Sequence, residues 1–228
     1  MGRIFENSRE AIREIERDIM EMGIKVHPQS MQNKIVKDDD NFSTLEVQNY
    51  TFSILDTLDK NEIVGKDLDW CIAEFKERVS SNTINPGEAY KLRLKVWEQF
   101  LVNGKFDYTY NERINLHNQL GLVIAELSEN PDTRQAIIHL HKPSDAGSMR
   151  KNRVPCSMYY QLMIRRDKLD IIYNMRSSDF DTHFKNDIWL ADELRRYIGN
   201  FIGVTPGIFS MNVGSLHRYK NYTKEHVF

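Results

Sequence analysis

Cysteine is nearly absent from this chain: two in 228 residues, Cys71 and Cys156, too few for a disulfide framework or a thiolate metal cluster. Proline (six) and glycine (eleven) are also scarce, and there is no low-complexity stretch, internal repeat or linker-like composition. No apolar run approaches the roughly 18 residues of a membrane span, so no membrane partner is expected. A surplus of one charge is missing too. The 31 Lys and Arg against 33 Asp and Glu leave a formal charge of −2, which argues against a global field for nucleic acid but allows a local basic pocket. Neither a glycine-rich dinucleotide fingerprint nor a phosphate loop is present.

What remains is ordinary globular material, 40% hydrophobic and 28% charged, long enough for a single domain over residues 1–228 with a real core. The opening "MGRIFENSREAIREIERDIMEMG" is charged and helical in pattern, unlike a secretory leader. With so few cysteines, a reducing cytoplasm is the expected compartment.

Ile12, Ile15, Ile19 and Met20 recur at helical spacing, so residues 8–22 are expected to form an amphipathic helix. "TLEVQNYTFSIL" (44–55) alternates like a strand, and "DLDWCIAEFKERV" (67–79) has a helical pattern. Further helices are expected from Pro86 to about Leu101 and over 112–127, followed by a strand in "QAIIHLH". "CSMYYQLMIRRDKLDIIYNMR" (156–176) contains two β-rich runs around a polar turn, a hairpin signal. An amphipathic helix over 187–203 offers Ile188, Leu190, Ala191, Leu194, Ile198 and Phe201 to a core, and "GIFSMNVGSLHRY" closes as a strand. Long helices alternating with few strands and a central hairpin predict an α+β fold, not a repeating βαβ.

Cys156 lies directly after a proline, at the start of the hairpin's first strand. A lone cysteine serves either as a small hydrophobe or as a nucleophile; the second role needs a cation nearby. The hairpin supplies one, because antiparallel pairing brings Arg176, at the end of the second strand, back to Cys156. "PC" also occurs at the nucleophile of cytosine-C5 DNA methyltransferases. This chain lacks their glycine-rich methyl-donor site and is too short and insufficiently basic to read a duplex.

The motifs around that cysteine are more specific. "RVPCSMYYQ", "NMRSSD", "FKND" and "NVGSLHRY", with "NPDTR" and "VWEQF…YTY" upstream, resemble in order and spacing the thymidylate synthase superfamily, closest to its deoxycytidylate hydroxymethylase branch found in large phages. The likeness runs from about Thr44 to Tyr219. It implies a thymidylate synthase-like fold with a mixed β-sheet flanked by helices, a homodimer, 5,10-methylenetetrahydrofolate as cofactor and a pyrimidine nucleoside monophosphate as substrate. Cys156 matches the nucleophile that adds to C6 of the base. Arg176 and Ser177 match phosphate-binding neighbours of the thiolate, and Arg134 an arginine reaching the partner's phosphate. His217 and Tyr219 match the pair holding the sugar 3′-hydroxyl, and Asp179 the carboxylate that bonds the pterin. Glu74 matches the glutamate that manages protons at the base, while Trp97 and Tyr110 match aromatics beside the cofactor and the thiol. Asp187 falls where the synthases carry an asparagine. A carboxylate accepts from the cytosine amino group, and with one shared proton it also satisfies N3.

Some positions depart from the synthase pattern. Ser157 stands where histidine is usual, Gln135 replaces a second cross-subunit arginine, and the N-terminal phosphate arginine falls near Asp39. Lys37, Arg150, Lys151 or Arg153 are the available compensating cations. The sequence stops nine residues after Tyr219, short of the segment that closes over the cofactor in the synthases. The expectation is that water reaches the activated one-carbon group, giving a hydroxymethyl rather than a methyl product. Taken singly, each residue also has a plainer role. Asp187 is a natural helix N-cap, Asp179 a loop acid, Glu74 a solvated helix-face charge, and Arg134 a partner for Asp132 or Glu126. His217, Tyr219 and Trp97 are equally at home in a core. The leading expectation is dCMP hydroxymethylation; the alternatives are a dUMP-directed synthase or hydroxymethylase, and a silent nucleotide-binding relative.

Overall fold

A computed structural model describes residues 2–31, 34–146 and 153–219. Its strands are β1 (Arg3–Asn7), β2 (Ile24–Val26), β3 (Ser30–Met31), β4 (Lys34–Ile35), β5 (Thr44–Asp56), β6 (Ile137–His139), β7 (Ser157–Arg165), β8 (Lys168–Asp179) and β9 (Thr205–Tyr219). Its helices are α1 (Ser8–Met22), α2 (Lys60–Val64), α3 (Leu68–Arg78), α4 (Leu94–Trp97), α5 (Tyr110–Asn115), α6 (Gln119–Glu129) and α7 (Lys185–Ile202). Among the described residues no helix is long and apolar enough to cross a membrane.

The large sheet runs β1-β5-β9-β8-β7-β6, with β2 added along β5. β1 is parallel to β5 and β8 to β9, and the remaining pairs are antiparallel, so the expected mixed sheet is present. The β7–β8 hairpin turns on Arg166 and Asp167, both left-handed at φ 55° and 58°. Two such residues in a row match the right-handed twist of the flanking strands. Period-2 alternation sends Tyr160, Leu162, Ile171, Tyr173, Phe209, Met211, Val213, Phe52 and Ile54 to one face, where they are buried under α1, α6 and α7. The opposite face carries short polar contacts instead: Thr51 to Asn212 and Ser53 to Ser210.

Several sequence expectations change in detail. Residues 3–7, part of the charged opening, form β1 beside β5 before Asn7 caps α1 by accepting from Glu10 N–H at 2.9 Å. Met20 and Phe201 stay 57% and 62% exposed; both lie just off the buried stripes of their helices. The stretch from Pro86 to Leu101 is not one helix, since only Leu94–Trp97 is α-helical between 3₁₀ turns. The expected helix over 112–127 is two helices, broken where His117 and Asn118 turn left-handed. It starts earlier as well: Thr109 and Glu112 form a reciprocal capping box, Glu112 accepting from Thr109 N–H at 2.8 Å. That box fixes Tyr110 as the first helical residue.

Helix α7 is anchored by a buried charge cluster. Asp192, fully buried, accepts from Thr57 Oγ1 at 2.9 Å and pairs with Lys60 and Arg196 at 2.8 Å and with Arg195. Burial alone pushes the Asp192 carboxyl up, but the three cations outweigh it and hold it below its ordinary value. Asp192→Ala strands those cations in the interior. It is expected to lower stability by about 3–5 kcal/mol in equilibrium denaturation, far more than the same change at exposed Glu62.

Candidate active site

Sheet topology decides which side chains meet. Because β8 and β9 are parallel, their C-terminal ends coincide, and register pairs Ser177 with Ser215 and Asp179 with His217. β5 and β7 run the other way beside them, so the starts of both strands reach the same edge. Gly214 permits the close approach of β9: a Cβ there would sit 2.8 Å from the Arg176 carbonyl oxygen. Helices α3 and α7 and the 84–111 segment wall this edge into a cleft of about 340 Å³. Cys156, Glu74, Arg176, Tyr110, Ser177, Asp187, His217, Tyr219, Asp179 and Trp97 all line it.

The mouth of the hairpin is closed by Arg176 N–H donating to the Cys156 carbonyl at 2.9 Å. The Arg176 guanidinium then folds back over the same loop. Its Nε donates to Pro155 O at 3.0 Å, and Nη2 donates to Val154 O at 3.3 Å and to Cys156 Sγ at 3.5 Å. Nη1 donates to Ser177 Oγ at 3.0 Å, and that hydroxyl donates to Sγ at 3.7 Å. The sulfur therefore faces the cleft with a charged donor and a hydroxyl directed at it. Cys71, by contrast, is fully buried, and burial pushes its thiol up to about 12; it belongs to the core with Trp70 and Trp189.

Tyr110 stands next to the nucleophile's strand, its hydroxyl accepting from Ser157 Oγ at 3.1 Å. Burial, with Tyr108 and Cys156 adding to it, pushes the Tyr110 phenol well above its ordinary value, so it stays protonated. Glu74 is not a solvated helix charge. Its carboxylate accepts from Arg78 Nε at 2.8 Å, and Arg78 is only 5% exposed. The Arg78 carbon Cζ sits 4.1 Å from the centre of the Tyr110 ring.

Asp187 is not the N-cap of α7. The helix begins two residues earlier, on a wide turn of π type over Phe180–Phe184. Asp179 starts that turn, accepting from the N–H groups of Asp181 (3.1 Å) and Thr182 (3.4 Å). Asp179 is thus a capping residue as well as a cleft residue. Asp187 accepts from Ser178 Oγ at 2.9 Å. Burial pushes its carboxyl up to about 7, against the Ser178 hydrogen bond and the charges of Arg78 and Arg93. The adjacent Asn186 is committed elsewhere, donating to Asp67 Oδ2 at 3.0 Å.

On the far wall, the His217 and Tyr219 rings meet edge to face at 5.7 Å, and the Tyr219 hydroxyl donates to Met31 Sδ at 3.1 Å. Trp97 stacks on Trp70 and contacts Phe106 and His183. Its indole Nε1 is buried without a hydrogen-bond partner among the described residues. An aromatic shelf carrying an orphaned donor fits a flat heterocycle with polar edges, as the pterin of methylenetetrahydrofolate has.

Two cleft residues, Arg78 and His183, escape sequence reasoning. Arg78 looks like a helix-end cation. His183 lies between the "RSSD" and "FKND" motifs, and burial, helped by Arg93 and Arg153, pushes its imidazole down to about 3. Arg153, expected from the sequence as a compensating cation, lies with Cζ 4.2 Å from the Phe100 ring centre and 5.4 Å from that of Trp97; of the two such cations among the described residues, it is the one that lines the cleft. Lys37 is exposed, and Arg150 and Lys151 lie outside the described residues. Asp39 caps a 3₁₀ turn, accepting from Asn41 N–H at 3.0 Å. Arg134 and Gln135 are exposed on the turn before β6, away from the cleft, with the Arg134 carbonyl accepting from Gln161 at 3.0 Å.

Comparison with known proteins places this arrangement. The chain is 28% identical over 176 residues to the deoxycytidylate 5-hydroxymethyltransferase of Enterobacteria phage T6, with 71% of this chain and 68% of that one covered. It is 31% identical over 136 residues to a putative thymidylate synthase of Methanosarcina barkeri, 56% of this chain, and spans about 61% of that relative's length. The crystal structure of thymidylate synthase from T4 phage superposes with a TM-score of 0.72 at 22% identity, covering 93% of this chain and 77% of that one, which shows the thymidylate synthase-like fold. The family description "Thymidylate synthase" matches residues 35–227, and the chain belongs to the thymidylate synthase family.

Proposed function

We propose that this chain transfers a one-carbon unit from 5,10-methylenetetrahydrofolate to C5 of a pyrimidine nucleoside monophosphate, with dCMP as substrate and 5-hydroxymethyl-dCMP as product. The observation that carries this reading is Cys156 under the Arg176 guanidinium and Ser177 hydroxyl, in one cleft with Asp187. Addition of the sulfur to C6 places negative charge at C5, which makes that carbon a nucleophile. The bound folate supplies the carbon at the oxidation level of formaldehyde. Trp97, with Asp179 at the opposite wall, would hold it. Glu74 takes and returns protons through water, Tyr110 orients the region beside the thiol, and His217 and Tyr219 hold the sugar hydroxyl. Arg176 and Ser177 bind phosphate, joined by Arg134 from a second subunit of a homodimer.

Substrate choice rests on Asp187. A carboxyl that titrates near neutrality can carry the proton that cytosine N3 lacks and still accept from the exocyclic amino group. The long phage hydroxymethyltransferase match supports cytosine, and the commitment of Asn186 to Asp67 leaves Asp187 as the base-facing polar residue of the pair.

Three outcomes test this. Purified protein with methylenetetrahydrofolate is expected to release tritium from [5-³H]dCMP, and Cys156→Ser to abolish the release by about 10³-fold or more; a silent wild-type protein would defeat the enzymatic reading. Asp187→Asn is expected to lower kcat/KM for dCMP by about 10²-fold or more while improving dUMP turnover; wild-type preference for dUMP would overturn the assignment to cytosine. The same residue sets a pH dependence. Its folded-state value lies above the ordinary 3.8, so its contribution to stability is complete below that pH and is lost as pH rises through about 7. In urea titrations Asp187→Asn should therefore be about 1–2 kcal/mol more stable than wild type at pH 8, with the gap closing toward pH 5.

A further inference from the structure

Two carboxylates, Glu74 and Asp187, line the same cleft but have different partners. Glu74 has a buried guanidinium bonded to it at 2.8 Å, while Asp187 has the hydroxyl of Ser178 at 2.9 Å. Arg78 comes from the last turn of α3, one turn beyond Glu74, so helical spacing itself presents the pair on one face. Its other helical neighbour is unavailable to it: Glu77 is spent on the N–H groups of Glu88 and Ala89, at 2.6 and 2.9 Å. The Tyr110 ring, its centre 4.1 Å from Arg78 Cζ, also holds the guanidinium. No phosphate or water-facing role is open to a cation held this way, at 5% exposure.

We propose that Arg78 is a positioning residue that divides the work of these two carboxylates, holding Glu74 aimed at the base by a charge-assisted hydrogen bond while, among the described residues, Asp187 keeps only the Ser178 hydroxyl as its direct partner. This rests on the roles proposed above for Glu74 and Asp187. A buried carboxylate keeps its charge when a cation is hydrogen-bonded to it, and a buried carboxylate without one takes up a proton near neutrality. The direction found for Asp187 agrees: burial raises it, and Arg78 and Arg93 only partly counter that. Arg78 itself is held firmly charged: burial works against its charge, but Glu74 with Tyr160 and Tyr110 together outweigh that cost. The groups facing this set are Tyr110 from α5, Tyr160 from β7, Tyr173 and Asp179 from β8, and Cys71 and Arg93 behind it. The three tyrosines are all pushed above their ordinary range, burial being the largest cause. They therefore stay neutral through the working pH range.

Arg78→Met and Arg78→Lys separate positioning from support of the fold. With [5-³H]dCMP and methylenetetrahydrofolate, Arg78→Met is expected to lower kcat about 30- to 100-fold with KM for the nucleotide within about threefold. The acidic limb of its pH–rate profile should move toward higher pH. Arg78→Lys, which keeps the charge, should return the limb to its wild-type position and recover most of kcat. A loss of kcat with an unmoved limb, or one that lysine fails to rescue while the protein still melts cooperatively, overturns the proposal, as does unchanged kcat in Arg78→Met. If Arg78→Met does not fold, an Arg78→Lys profile shifted like that of a charge-free variant, Arg78→Gln, overturns it equally. Failure of the cytosine assignment is distinguishable: wild type then releases tritium from [5-³H]dUMP instead, and the same variants are compared on that nucleotide.

Discussion

One hydrogen bond, from Arg176 N–H to the carbonyl of Cys156, sets the position of everything else in the cleft. It closes the open end of a hairpin whose other end is pinned by two left-handed residues, so the register between the strands is fixed at both ends. A one-residue slip would turn Arg176 to the opposite face of the sheet and take the guanidinium away from the sulfur. The structure absorbs the needed irregularity at Met158, where the pairing shifts between Ser157 and Tyr159 and the Met158 carbonyl accepts from both Leu140 and His141 N–H. From Arg176 the constraint passes sideways. β9 can lie close beside β8 because Gly214 faces the Arg176 carbonyl, and that closeness sets Ser215 and His217 level with Ser177 and Asp179.

A cleft so built gathers charge in a place with little water, and the fold handles each charge differently. Asp179 commits Oδ1 to the N–H groups of the turn leading into α7. Glu74 receives a full cation, whereas Asp187 receives a hydroxyl. These local choices, not the identity of the acids, separate their chemistry. His183 shows the same principle in reverse: packed beside Trp97 and near Arg93 and Arg153, its imidazole is kept neutral and so adds no further charge to the shelf.

The hairpin and the closing strand were legible as strands because period-2 alternation survives in 157–179 and 205–219, and the cysteine–arginine juxtaposition follows from strand pairing alone; the parallel pairing of β9 with β8 was not, since nothing local in either strand marks it. The split of 112–127 was hidden because His117 and Asn118 carry no sequence mark as strong as glycine for a left-handed turn. The stretch from Pro86 onward has helical composition, but the aromatic packing of Tyr90, Trp97, Phe100 and Phe106 shapes it into short 3₁₀ and α turns. Asp187 has the composition of an N-cap, yet the wide turn from Asp179 starts α7 early and shifts Asp187 into the first turn. Arg78 was illegible for a related reason. A basic residue near the end of a helix is ordinarily a solvated partner of the helix dipole, and only the packing of Tyr110 and Tyr160 against α3 buries it.

The disposition of cations also bears on the proposed homodimer. Among the described residues lining the cleft, the cations are Arg78, Arg153 and Arg176. Arg78 is engaged by Glu74, and Arg153 lies over the rings of Phe100 and Trp97. The Arg176 donors already reach two backbone carbonyls, a hydroxyl and the sulfur. A phosphate dianion draws its affinity from charged donors with lone N–H groups to offer, as a forked guanidinium provides, and a cleft in which Arg176 divides its donors between the thiol loop and the phosphate is short of them. Arg134 is an exposed arginine on the turn that leads into β6, and the sheet face opposite the helices carries the small polar pairs Thr51–Asn212 and Ser53–Ser210, which would allow close apposition. Two copies packed through that face would each lend the other the cation its own fold has used for the thiol and the carboxylate, which gives the cross-subunit role proposed for Arg134 a chemical reason.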